Sequence, residues 1–377
     1  MASPGPGNDR VTPAAILEPH YVGSAARAAA RSSILVLHDT SEFEFSGEAK
    51  REGLGRLLRK GQGFFGHFSL AVDEAPVHEP LGLLAFESIF RHKAAVPRKK
   101  LKKKHYLGES ARWARAVEAA QQRLPDSVRA IHVMDREGDS FALLAAMVEN
   151  GREFVVRSNH DRVLAGVAER TNLRVAARGT EPVLEREVSL SYRPVIPGPK
   201  GLRHPARDAR VAFLTFAATT VSLPRTANAK AGAASTISVN VVHVYEPDPP
   251  SGEDPVELFL LTSLPIETPE QIAYVVDCYR ARWIIEEYFK ALKTGCQVEK
   301  RQLTTAKRLL NALAVLAPVA WRLLLLRHLS RHEPDRPARH ALTPTQIAVL
   351  LAISKIPLPK NPSVRDALLA RTRPRLS

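Results

Sequence analysis

The sequence predicts an α/β protein: a mixed sheet with flanking helices, interrupted by a mostly β insertion. Three observations carry that expectation. Two short apolar runs, ILVL at 34–37 and IHVM at 131–134, lead into Asp39 and Asp135, and continuous runs of this kind mark strands buried on both faces. Residues 161–265 hold only short β-type runs between Pro/Gly-rich turns such as PVIPGPKG and EPDPPSGEDP. Residues 268–293 then carry a helical pattern that includes YRARWIIEEYFKALK.

Taken in order, residues 1–31 are rich in Ala, Pro and Gly, a short remnant or linker with room for one helix at 25–31. Residues 32–160 form the first part of the core. Strands are expected at 34–37, 64–71, 81–86, 131–134 and 154–157, with helices at 110–123 and 138–147. The insertion at 161–265 has strands at 211–216, 236–245 and 258–261. Residues 266–330 close the core, with the patterned helix followed by a long helix at 303–329. Residues 331–377 form a short C-terminal region, with a polar linker, a helix at 344–353 and a loose basic tail.

The patterned helix is where chemistry first shows. Tyr279, Arg282, Glu286 and Lys293 recur so that an unbroken α-helix brings them within an arc of roughly 60°, with Lys290 about 20° from the same stripe. A carboxylate flanked by cations and a phenol suits a metal ion and a phosphate backbone; the plainer alternative is a solvated amphipathic face. Glu287 lies about 80° from Tyr279 against about 20° for Glu286, which favours Glu286. Asp39 and Asp135, each at the end of an apolar run, read singly as turn or cap residues. Together with a helical glutamate they read differently, because three converging carboxylates repel one another unless divalent cations lie between them. His38 and His132 flank the aspartates; hard cations prefer oxygen, so both are expected to pack around the site and not to ligate.

At these residues the chain resembles the DDE transposases of the IS4 family, in the branch of the Tn5 transposase. Its Y-(2)-R-(3)-E-(6)-K signature is met by Tyr279, Arg282, Glu286 and Lys293, and the texts DTSEF, MDREGD, FVVRSNHDR, LFLLTSLPIET and RWIIEEYFKALKTG follow in the family's order. The resemblance covers roughly residues 30–330. It implies an RNase H-like fold interrupted before the last catalytic residue, with Asp39, Asp135 and Glu286 as catalytic triad and Mg²⁺ ligands, Mn²⁺ able to substitute. It implies metal-dependent DNA cleavage and strand transfer, with Tyr279, Arg282, Lys290, Lys293 and Arg157 on DNA. It also implies duplex partners, the transposon ends and target, and a homodimer in a synaptic complex. The chain departs from the pattern in three places. Asp39 comes early, the C-terminal region is short, and Leu258 stands where the branch has a base-stacking tryptophan.

Composition agrees with this. A net charge of +15 and a pI near 10.0 imply a polyanionic partner. Cys278 and Cys296 alone make neither a disulfide framework nor a four-ligand zinc site. The apolar stretch 309–326 is interrupted by Asn311, Pro318 and Arg322, so a core helix is expected there and no membrane span. No secretory signal is read in the N-terminal residues, and a cytoplasmic, nucleoid-associated protein is expected. Trp113 and Trp321 sit in apolar helical patterns and are expected in the core. PRKKLKKKHY (97–106) reads either as a phosphate track or as a solvated loop. Two alternatives stay open on the sequence: a truncated, non-catalytic DNA-binding or inhibitory remnant of a transposase, and another RNase H-like nuclease.

Overall fold

The computed structural model describes residues 10–45, 51–57, 61–91, 103–167, 169–197, 203–204, 206–226 and 234–371. Of the basic run at 97–106, residues 97–102 lie outside these. The chain divides into two compact units, Met1–Ile131 with Ala281–Ser377, and His132–Arg280. Both are α/β, strands of a mixed sheet with helices packed against them.

The first unit opens with α1 (Pro13–Ala29), capped by the Thr12 hydroxyl, which accepts the Ala15 N–H at 3.2 Å. This helix begins well before the short one expected at 25–31. Pro19 and Gly23 read as breakers, but burial of Leu17, Tyr21, Ser24 and Ala28 along one face outweighs them. Next come β1 (Ser33–Glu44), β2 (Gly55–Arg56), β3 (Gln62–Asp73) and β4 (Pro80–Ile89), with β3 antiparallel to β1, β2 and β4. The β1 strand does not stop at the aspartate: pairing continues through Asp39↔Phe68 to Glu44↔Gly63, so Asp39 sits in mid-strand. The apolar run ends earlier because beyond His38 only Phe43 is buried. Two glycines make this packing possible. A Cβ on Gly63 would lie 1.9 Å from the Phe43 carbonyl, and one on Gly82 (φ +131°) would lie 2.1 Å from the Ser24 Oγ of α1. Helix α2 (Lys103–Gln121) covers β3 and β4, burying Trp113, Ala116, Val117 and Ala120. Strand β5 (Arg129–Met134) begins in this unit, and its Arg129 N–H donates to the Ser32 carbonyl at 3.0 Å.

In the second unit β5 ends at Met134, and a 3₁₀ turn over Arg136–Gly138 precedes α3 (Phe141–Glu149). Thus the single helix expected at 138–147 is a turn and a helix, divided where the Ser140 hydroxyl caps α3 by accepting the Leu143 N–H at 3.3 Å. Then follow β6 (Glu153–Arg157), α4 (Leu173–Arg178), β7 (Pro182–Leu190), β8 (Ile196–Pro197), β9 (Arg203–His204), β10 (Arg210–Pro224), β11 (Thr236–Tyr245), β12 (Glu257–Thr262) and α5 (Pro269–Ala281). The strands run in the order β6-β12-β11-β10-β7, antiparallel at each neighbour. Strand β7 is not among the strands expected: Arg186 breaks its alternating row of Leu184, Val188 and Leu190, and of these only Val188 is buried.

The chain returns to the first unit with α6 (Trp283–Lys290), a π turn over Ala291–Gly295, α7 (Ala306–His332), α8 (Pro344–Ile353) and α9 (Val364–Arg371). Helix α7 is the one helix among the described residues long and apolar enough to cross a membrane by length and composition; half of its apolar window is buried. Its Trp321 indole N–H donates to the Pro80 carbonyl at 3.0 Å, as burial of an indole requires. Trp113 and Trp321 are both buried. Helix α9 lies in what reads as a loose tail; Ser363 and Asp366 form its start, the Ser363 N–H donating to Asp366 Oδ2 at 2.9 Å, and Val364 and Ala367 are buried.

Candidate active site

In the first unit one guanidinium joins two carboxylates that are far apart in sequence. Arg282 Nη1 donates to Asp39 Oδ2 of β1 at 3.0 Å and to Glu286 Oε1 of α6 at 3.3 Å. The second bond follows from helix geometry, an i,i+4 pair. The first depends on the fold, which lays α6 against β1. Asp39 Oδ1 meanwhile accepts the Thr40 N–H at 2.7 Å. Arg282 and Asp39 are largely enclosed, with side chains 15% and 13% exposed, while Glu286 is 41% exposed and reaches solvent. Two anions held this close repel, and a cation between them offsets that repulsion. Glu287 points elsewhere: its carboxylate pairs with Arg331 of α7 at 3.1 Å.

The unbroken stripe expected over 279–293 is not what forms. Arg282 joins α5 to α6 with helical dihedrals (φ −51°, ψ −29°), the Ile285 N–H donating back to its carbonyl at 3.1 Å, and from Ala291 the backbone winds as a π turn closed by Cys296 N–H to Ala291 O at 2.8 Å. The extra residue per turn rotates Lys293 off the α-helical stripe. Its ammonium donates to the Glu42 carbonyl of β1, lies 3.7 Å from Glu299 and 5.1 Å from the centre of the Phe43 ring. Lys293 therefore braces the strand that carries Asp39. Lys290 is exposed. Tyr279 is half-buried in the last turn of α5, in the second unit.

Behind Asp39 lies a buried polar group. Thr40 Oγ1 meets His67 Nδ1 at 2.8 Å and accepts from Arg112 Nε at 3.2 Å. His38 Nδ1 meets Ser69 Oγ at 2.9 Å, and the rings of His38 and His67 stack at 6.2 Å. Burial, reinforced by Arg112, holds the His67 imidazole down at about 3, so it is neutral at ordinary pH.

In the second unit Asp135 caps the 3₁₀ turn, its Oδ1 accepting the Glu137 N–H at 2.8 Å. The far end of that turn is fixed by a residue the sequence reading passed over. The Asp139 side chain is wholly buried; Oδ2 accepts the N–H groups of Asn159 (2.6 Å) and His160 (2.9 Å), and Oδ1 pairs with Arg162 at 2.7 Å. The MDREGD and SNHDR texts thus meet as one clamp. His132 is fully buried and held at about 3 by burial, with Arg152 adding to the effect. Arg157 is half-buried at the end of β6, opposite Leu260 of β12. Phe259 is buried and stacks on His243 at 4.5 Å.

One further residue has no signal in the periodicity. Trp283, next to Arg282, is 65% exposed, an unusual position for the largest apolar side chain.

Among the described residues no three His, Cys, Asp or Glu side chains gather as a metal-binding group. The donor chemistry nonetheless suits a hard divalent cation. Asp39 and Glu286 offer carboxylate oxygens alone, and the place between them already carries a positive charge, the Arg282 guanidinium.

The chain is similar over 80% of its length to a piggyBac transposase solved by cryo-EM as a synaptic complex with hairpin DNA. The identity is 12% and the TM-score 0.34, and the chain spans 48% of the length of that one. The match to a family is of a different kind. Residues 108–320, more than half of the chain, match the transposase DDE domain. That stretch contains Asp135, Arg282 and Glu286, while Asp39 lies before it. The chain belongs to the transposase DDE domain family.

Proposed function

We propose that this protein is a DNA transposase of the IS4 family, in its Tn5-like branch. It would cleave a DNA strand to free a 3′-OH and transfer that end to a second phosphodiester. The observation that carries the reading is the Arg282 bridge, which brings carboxylates of β1 and α6 to one cation-bearing place within a chain of this family. Asp39, Asp135 and Glu286 are the catalytic carboxylates and would hold Mg²⁺, with Mn²⁺ able to replace it. Bound there, the cation supplies Lewis-acid activation of the attacking oxygen and stabilises the leaving one.

The chain's other residues bind and orient. The Arg282 fork matches a phosphate, and Lys290 and Lys293 add point charges along the same helix. Lys293 must exchange its Glu42 carbonyl for a phosphate to do so. Tyr279 and Arg157 complete the proposed DNA contacts. Trp283 presents an open aromatic face on which a base can stack, a role Leu258 cannot fill. The partners are double-stranded DNA, as element end and as target, and a second copy of the chain in a paired complex; the place of action is the nucleoid.

Metal removal tests the reading. On duplex DNA carrying the ends of the element that encodes the chain, EDTA is expected to abolish cleavage, and Mg²⁺ or Mn²⁺ to restore it together with strand joining. Cleavage that persists in EDTA would overturn it.

A further inference from the structure

We propose that Arg282 is the site's resident counter-ion and couples divalent-cation binding to DNA binding. The cation enters between Asp39 and Glu286 with high affinity only when a DNA phosphate draws the guanidinium away. This rests on the active-site reading above and concerns how that site is regulated.

The geometry makes guanidinium and metal competitors. A single nitrogen of Arg282 lies 3.0 Å from Asp39 Oδ2 and 3.3 Å from Glu286 Oε1. A magnesium-sized ion needs its oxygens at about 2.0–2.1 Å, so it cannot bridge these two oxygens while that nitrogen stays between them. The competition is also electrostatic. With Arg282 in place the pair has lost part of its attraction for a cation, and a divalent ion must approach a guanidinium that is 15% exposed and close by. Releasing Arg282 without a partner would strip it of two charged hydrogen bonds. A phosphodiester oxygen pair is the ligand that replaces both, since the fork accepts it in the same bidentate manner as a carboxylate. Exposed neighbours show where such a backbone would run: Glu286 is open to solvent, and Trp283 and Lys290 lie on the surface of the same helix.

Linkage then fixes the sign and the reciprocity. DNA raises metal affinity by the same factor by which metal raises DNA affinity, and couplings of this kind span roughly 5–150-fold. A DNA-free protein would therefore leave its metal site largely empty.

The test is Mn²⁺ binding followed by the electron paramagnetic resonance of the free ion, which needs no turnover. It compares the wild-type chain, Arg282→Gln, Arg282→Lys and Glu286→Gln, each with and without a short duplex of the element's end; circular dichroism checks that each variant is folded. The wild type is expected to bind Mn²⁺ at least about fivefold more tightly with DNA than without it. Arg282→Gln is expected to bind Mn²⁺ more tightly than wild type in the absence of DNA, and to lose most of the DNA effect. Arg282→Lys keeps the charge without the fork and should retain weak DNA-free metal binding while losing the DNA-driven gain. If Glu286→Gln abolishes Mn²⁺ binding but Arg282→Gln leaves both the DNA-free affinity and the DNA effect at wild-type values, the coupling is refuted and the active-site reading stands. If Glu286→Gln leaves Mn²⁺ binding unchanged, the metal is held elsewhere and both are refuted.

Discussion

Glu286 reaches its ion pair from a side chain 41% exposed, whereas Asp139 makes its contacts with no side-chain exposure at all. Each belongs to an element that bears a candidate catalytic carboxylate: α6 carries Glu286 itself, and the 3₁₀ turn between Asp135 and Asp139 carries the other. The first is held by one shared guanidinium that another anion can replace. The second is held by two backbone N–H groups and an arginine around a carboxylate that is itself fully enclosed. The contrast separates a residue placed to exchange partners from one placed to keep them. A buried carboxylate in a motif is as much a mark of positioning as of catalysis.

Breaking the buried side of this comparison should have the largest effect on stability. Asp139→Ala leaves Arg162 enclosed without its anion and two N–H groups without an acceptor. Denaturant unfolding is expected to show a loss of about 3–5 kcal/mol, where Glu286→Gln loses less than about 1 kcal/mol. Equal losses would erase the distinction.

Acid should sharpen it next. His67 and His132 are each held by burial at about 3, below the ordinary value of 6.5. An unfolded chain takes up protons on both from about pH 6.5 downward while the folded chain does not. The stability they contribute is therefore complete above pH 6.5 and is lost progressively as pH falls toward 3. Thermal unfolding is expected to show a falling Tm over that window, as stability drops by on the order of 1–3 kcal/mol per histidine by two units below 6.5. His67→Asn should flatten the curve, and a Tm indifferent to pH there would count against neutral, buried imidazoles.

The smallest effect is expected at the neighbouring glutamate. Glu287 pairs with Arg331, whose side chain is 49% exposed, so Glu287→Gln should change stability by less than about 1 kcal/mol and leave cleavage within a fewfold of wild type. A large loss of cleavage would reassign the helical carboxylate.

Much of the molecule is legible from residue pattern. The runs leading to Asp39 and Asp135, the strand Thr236–Tyr245 and the helix Pro344–Ile353 are visible because burial on both faces, regular alternation and Thr-Pro capping leave marks in sequence. Helix α1 was underestimated because its determinant is tertiary: Leu17 and Tyr21 are buried by packing on β4 and α7, which outweighs Pro19. The π turn escaped because spacing alone assumes an α-helix, and Lys293 takes its position from a bond to the Glu42 carbonyl. Asp139 and Arg162 stood in the motifs that carried the family resemblance, yet only their distance shows them to be partners. The Arg282–Glu286 contact was implicit in helical spacing, while its bond to Asp39, 243 residues away, needed the fold.

Cleavage of duplex DNA bearing the element's ends, compared between wild type, Asp39→Asn, Asp135→Asn and Glu286→Gln with Mg²⁺ present, tests the central claim most directly. The account predicts that each substitution lowers the rate by on the order of a thousandfold or more, and that the double variants are scarcely worse than the single ones, as expected of groups that act as a unit. Wild-type cleavage by any one of the three would contradict it.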